Sequence, residues 1–190
     1  DPQDPFAATR LTAVALDLHK KPAWMSFWLR QATSVDPEDY AAANNAREYY
    51  DLIGSRVNYG SQMGFADRCV ESGLWQSQIP FIREEVFKRY AMHTPGKPPA
   101  KEPQPARMHE DWFWSGLDEL YQGYLLAMPK DYQRRSEYAY LLSLDARWPE
   151  AAEQFAILGD KARVKEFGSQ QRLDELRAKA TAGKTPKPAP

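Results

Sequence analysis

The chain has one cysteine and three histidines, and no long apolar run, and each shortage removes a class of chemistry. A single thiol, Cys69, closes no internal disulfide and builds no cysteine-based zinc site. Its neighbours, Phe65-Ala66-Asp67-Arg68-Cys69-Val70, read as a helix in which Cys69 is a small buried apolar residue. His19, His93 and His109 include no i, i+3 or i, i+4 pair and no His-Glu-x-x-His, so no helix face offers two histidine ligands. Gly-x-x-x-x-Gly-Lys, Gly-x-Gly-x-x-Gly and Gly-x-Ser-x-Gly are all missing. No metal and no cofactor is expected on this basis. The densest apolar patch, Tyr121 to Met128, is broken by Gln122 and Gly123 and is too short to span a membrane. A dominant charge is lacking as well. The net charge of −1 gives no overall field toward nucleic acid or a membrane surface, and neither partner is expected. Alternating β-branched residues bounded by hairpin turns are also scarce, which argues against a sheet.

What is present is helical periodicity. Leu11, Val14, Ala15 and Leu18 fall at i, i+3, i+4, i+7, one face of a helix. Pro22 suits the start of a second helix carrying Trp24, Met25, Phe27 and Trp28. Asp36 is a candidate N-cap with Pro37 behind it, for a helix running through Tyr49 and Leu52 to a stop at Gly54. Another helix is expected from about Val57 to Ser72 with Gly73 as its stop, and a further one carrying Ile79, Ile82, Val86 and Phe87. Residues 94–107 hold five prolines in fourteen positions and read as a loop or linker. Helices resume near Glu110. Leu117, Leu120, Tyr121 and Tyr124 mark one face; Tyr138, Leu141 and Leu142 mark the next; Ala152, Phe155 and Ala156 follow Pro149; Leu173, Leu176 and Ala180 mark the last. The expected organisation is an all-α chain of antiparallel helical hairpins. It comprises an N-terminal half (1–93), the proline-rich loop (94–107), a C-terminal half (108–180) that forms one compact domain with the first, and a disordered tail (181–190).

The two halves share spacings. Phe65, Ala66, Trp75, Ile79 and Ile82 match Tyr138, Ala139, Trp148, Ala152 and Phe155 at an offset of 73, and Glu38-Asp39-Tyr40 matches Glu110-Asp111-Trp112 at 72. Two related three-helix units over residues 38–92 and 110–160 would produce this pattern, as would chance in a helical, aromatic-rich chain. Ala139, Leu142, Ala151 and Phe155 also stand at the spacings of a tetratricopeptide or Sel1-like hairpin, so residues 137–160 resemble that family. They are similar, too, to the terminal hairpin of certain bacterial helical proteins. The likeness weakens toward the N-terminus, where Gln78 stands in place of Ala and Ile82 in place of Phe, and no closing proline ends either unit. The resemblance implies a helical stack that binds proteins or peptides.

Candidate functional residues are few. His109-Glu110-Asp111 is the one His/carboxylate cluster; adjacent residues diverge on a helix, and a helix N-terminus explains them equally well. Glu84/Glu85 and Asp118/Glu119 are expected on solvated helix faces. Residues 161–190 carry eight Lys/Arg against three Asp/Glu, a basic end that could meet an acidic partner and more simply forms a solvated helix and tail. The aromatic runs are the more unusual feature. Trp112-Phe113-Trp114 cannot turn all three rings to one core, so one ring is expected to be partly exposed or to pack under the proline-rich loop. Trp112, Phe113, Trp114, Tyr121 and Arg135 form the candidate partner-binding set, with Arg134 and Arg147 as contributors; core packing is the plainer reading of the rings. The expected role is a noncatalytic adaptor, immunity-type or envelope accessory module that binds a protein, a peptide or another copy of the chain. The alternative is a small helical hydrolase acting on cell-wall glycan or peptide, with carboxylates drawn from different helices. The start at Asp1-Pro2-Gln3, without Met, fits either a removed leader and the bacterial periplasm, or an excised piece of a bacterial cytoplasmic protein.

Overall fold

A computed structural model of the chain describes residues 4–18, 20–57, 60–93 and 98–183. All regular structure in these residues is helical, and none of them lies in a strand. The chain divides into two compact units, 1–89 and 90–190, with the boundary inside one helix.

Unit 1 begins with α1 (Pro5–Asp17), which Asp4 caps by accepting from the Phe6 N–H at 2.9 Å while Pro5 fills the first turn. α2 (Pro22–Val35) likewise opens on proline. α1 packs on α2 and on α3 (Tyr40–Val57), and α4 (Gly60–Glu71) packs on α3. The core they enclose contains Met25, Ala43, Ala46, Tyr49, Tyr50, Phe65, Ala66 and Cys69. Gly73, at φ 65°, stops α4 after one further turn residue, a conformation that costs glycine little. A 3-10 turn (Ile79–Phe81) then leads into α5 (Ile82–Met92), with Pro80 in that first turn.

Several expectations are corrected in unit 1. α1 does not bury Leu11, Val14, Ala15 and Leu18 together: Val14 is 44% and Leu18 59% exposed. The inward face is Ala8, Thr12 and Ala15, small residues that allow close helix approach. Thr12 tolerates complete burial because its hydroxyl donates to the Thr9 carbonyl and accepts from the Asn45 amide. α3 starts at Tyr40, and its cap is Asp39, which accepts from the Ala42 N–H at 2.9 Å. Asp36 instead turns the chain by accepting from the Glu38 N–H. The helix continues past Gly54 to Val57. Glu84 is not on a solvated face but 2% exposed, and pairs with Lys88 one turn on.

Unit 2 contains the end of α5 and the helices after it. The proline-rich segment ends in one helical turn, α6 (Pro105–Met108), because a proline at the first helical position sacrifices no hydrogen bond. Backbone bonds tie this segment to α5: the Ala100 N–H donates to the Met92 carbonyl and the Gln104 N–H to that of Ala91. α7 (Asp111–Ala127) buries Leu117, Leu120, Tyr121 and Tyr124, as its spacing predicts. α8 (Tyr132–Leu144) and α9 (Trp148–Leu158) form a tight antiparallel hairpin. Its bend places Ala146 at φ 57°. α10 (Val164–Phe167), a single turn not foreseen from the sequence, inserts Phe167 between Tyr140 and Phe155. α11 (Gln170–Gly183) packs on α9 and buries Leu173 and Ala180. It takes in the first three residues of the expected tail; residues 184–190, 94–97 and His19 lie outside the described residues.

Candidate functional site

The start of α7 gathers four groups of unit 2, Arg107, Glu110 and Trp112 from one short stretch and Tyr90 from α5. Trp112 stands in the first turn with its ring 41% exposed, while Phe113 beside it is 1% exposed. The Tyr90 ring meets Trp112 edge-on at 4.9 Å between centroids. Glu110 immediately precedes α7 and its carboxylate accepts from both: the Tyr90 hydroxyl at 2.7 Å and the Trp112 indole N–H. These two bonds hold the Glu110 carboxyl below the usual glutamate range. Arg107, from α6, lays its guanidinium over the Tyr90 ring at 4.1 Å. Trp, Tyr and Arg are thus presented together, with the Trp and Tyr rotamers restrained by a shared carboxylate.

The other predicted residues of the set lie deeper. Trp114 is 7% exposed and donates its indole N–H to Asp145 at 2.6 Å. Asp145 also faces His109 Nδ1 at 2.6 Å. Burial pushes the Asp145 carboxyl up, against the opposing pull of Trp114, His109 and Arg147. Arg147 stacks on the Trp114 ring at 4.5 Å and grips both Asp118 oxygens at 3.0 and 3.1 Å. Tyr138 donates to Asp118 at 2.6 Å and stacks on Tyr121, which is fully buried, at 4.5 Å. Arg135 is 7% exposed; it donates to Gln154 at 2.7 Å and to the Pro129 carbonyl, and burial lowers its pKa. Arg134 pairs with Glu137. The structure therefore brings Trp112, Phe113 and Trp114 together through the ring contacts of Phe113 with both neighbours, and leaves Trp112 as the surface member. Arg135 and Tyr121 belong to the α8 packing below.

Tyr90 and Arg107 were not singled out as a pair by sequence. They lie 22 and 5 residues before Trp112, on separate elements, and no local spacing links them. Glu110 was visible only as a helix-end acid.

His109, Glu110 and Asp111 do not converge: His109 meets Asp145, Glu110 meets Tyr90 and Trp112, and Asp111 opens α7. No group of three metal-ligating side chains is found among the described residues, and no described helix is long and apolar enough to cross a membrane. Asp118 is engaged by Arg147 and Tyr138. In comparisons with known proteins, no family model, no curated protein and no solved structure matches the chain.

Proposed function

We propose that this chain is a noncatalytic interaction module that binds a protein or peptide partner at the start of α7. The observation that carries this reading is the exposed Trp112 ring, held against Tyr90 by the Glu110 carboxylate that both groups share. A ring already fixed in place loses little freedom on binding, which is what makes a tryptophan an effective anchor. Phe113 and Trp114 act as its foundation, and Tyr121 and Arg135 hold the helix pair on which it stands.

The same reading takes the helices as a repeat-like array of the tetratricopeptide or Sel1-like kind, with α8–α9 as its clearest unit. In support, residues matched at the offset of 73 share their burial: Ala66 and Ala139 are both fully buried, Phe65 and Tyr138 both 5% exposed, and Ile82 and Phe155 both core. The two stretches differ in their links. α8 turns into α9 through three residues, whereas α4 reaches α5 through a longer loop and the 3-10 turn.

The test uses a photo-crosslinking residue at position 112 and another at exposed Glu153, each in the native host. Crosslinking to one discrete partner at 112 and not at 153 is expected. Trp112→Ala should then weaken that purified pair by about 2 kcal/mol or more and leave the melting temperature nearly unchanged. Undiminished binding by Trp112→Ala would overturn the assignment.

A further inference from the structure

Unit 1 holds a cavity of about 250 Å³, remote in sequence from the α7 surface. Its floor is apolar: Ala43 from α3, Phe65 and Cys69 from α4, and Ile79 from the 3-10 turn are all buried core residues. Burial raises the Cys69 thiol to about 12, so at neutral pH this wall carries no charge. The mouth differs. Arg30 of α2 and Arg68 of α4 line the cavity and are exposed, which puts them on its solvent side, and no carboxylate is among the described residues that line it. Helical spacing produces this layout. Phe65, Arg68, Cys69 and Ser72 follow i, i+3, i+4, i+7, which sets one cation at the rim of an otherwise apolar face.

Two other arginines of unit 1 are matched by acids: Arg47 with Glu85 and Glu48, and Arg83 with Asp67. The Arg30 and Arg68 guanidinium groups have no carboxylate partner among the described residues. The Thr33 and Ser72 hydroxyls at the mouth donate to carbonyls of their own helices, so the two guanidinium groups are the donors left for a guest. Two cations without a carboxylate partner among the described residues, lining a cavity whose buried walls are apolar, favour a guest with an apolar tail and an anionic head. The space exceeds the roughly 150 Å³ apolar cavity that takes up a benzene ring, so more than a single small ring fits.

From this geometry we propose that unit 1 is a binding site for a medium-chain carboxylate, its tail against Ala43, Phe65 and Ile79 and its head on Arg30 and Arg68. The site is independent of the partner surface on α7.

Titration calorimetry of the full chain with decanoate tests this, with decanol and decylamine as probes of the same tail and a different head, all below their micellar concentrations. Decanoate should bind saturably and raise the melting temperature, whereas decanol binds more weakly and decylamine does not bind. The double variant Arg30→Gln/Arg68→Gln changes exposed side chains and should fold normally. It should lose roughly tenfold or more in decanoate affinity and retain its affinity for decanol. Thr33→Phe places a ring in the mouth and should abolish binding of both. No saturable decanoate binding, equal binding of decanoate and decanol, or wild-type affinity in the double variant would each overturn the proposal. Should Thr33→Phe fail to fold, the head-group series and the double glutamine variant decide alone.

Discussion

Replacing Arg147 with Met tests whether unit 2 is held by the polar knot that joins α7, α8 and α9. Methionine keeps the apolar stem and removes the charge, so packing changes least. The losses follow from the geometry. Arg147 donates to both Asp118 oxygens, and the two side chains are only 24% and 23% exposed, so this pair is shielded from solvent. Hydrogen bonds between charged groups in such a setting contribute about 1.5–3 kcal/mol, more than the surface median of about 0–1. Stacking on Trp114 at 4.5 Å adds about 0.5–1 kcal/mol. The contact with Glu150, which is 41% exposed, adds less than either. Burial alone would lower the Arg147 pKa; the bonds to Glu150 and Asp118 more than offset it, and the group is raised. Asp118 keeps its bond from Tyr138 in the variant, which limits the damage. A loss of about 2–3 kcal/mol is expected. Urea unfolding supplies the number, provided the slope m is unchanged, and hydrogen exchange of the α7 and α8 amides assigns the loss to this unit. A cycle with Asp118→Asn should return a coupling of about 1 kcal/mol or more. A variant within about 0.5 kcal/mol of the parent, or a coupling near zero, would refute the idea that the knot, and not the apolar packing alone, holds the three helices together.

Two further outcomes separate surface from core and charge from packing. Phe113→Ala should cost about 3–5 kcal/mol in urea unfolding, against less than about 1 for Trp112→Ala, because only the former empties a closed site. Glu102 is held below the usual glutamate range, chiefly by its hydrogen bond from Arg172. A carboxyl depressed in the folded state contributes stability above its unfolded pKa and loses it as the pH falls through the folded value. Glu102→Gln should therefore cost stability at neutral pH, and the difference from the parent should vanish at the acid end of a pH series of unfolding midpoints. With side chains 48% and 37% exposed, the effect is on the order of 0–1 kcal/mol. Asp145, raised by burial, acts in the opposite sense, so the comparison between parent and variant, and not the raw acid limb, carries the test.

Helix positions in unit 2 were legible because large apolar residues there repeat at helical spacing and do face inward, as with Leu117, Leu120, Tyr121 and Tyr124. The first helix misled for the converse reason. Its large residues Val14 and Leu18 point outward, and its buried face consists of Ala8, Thr12 and Ala15, which carry little hydrophobic signal. Thr12 is buried only because Asn45, 33 residues away, supplies a hydrogen bond that no local window contains. The candidate site divides along the same line. Adjacency in sequence made the Trp112-Phe113-Trp114 run conspicuous, and helix geometry requires the three rings to diverge. Which of them faces out was not readable, because it depends on Asp145 and Arg147 capturing Trp114 from the α8–α9 bend. The unit 1 cavity shows a weaker version of the same limit: the α4 spacing is local, but that Arg68 and Arg30 line one cavity is tertiary.

Exposure by itself does not favour Trp112 as an anchor, since Trp24 is 53% and Phe27 46% exposed against its 41%. The difference lies in restraint. The Trp24 ring has the Lys20 ammonium over it at 5.9 Å, near the outer limit of a cation–π contact. Around Trp112 the indole N–H is taken by Glu110, the ring meets Tyr90 and Phe113 in edge-to-face contacts, and Tyr90 is in turn held by Glu110 and covered by Arg107. Ordering a loose aromatic on binding costs about 0.5–1.5 kcal/mol, a cost that the contacts around Trp112 reduce in the folded chain. Of two similarly exposed aromatic surfaces, the one whose rotamers are fixed before the partner arrives retains more of its burial energy as affinity. That difference favours the proposed partner surface on α7, where Glu110 positions the two rings.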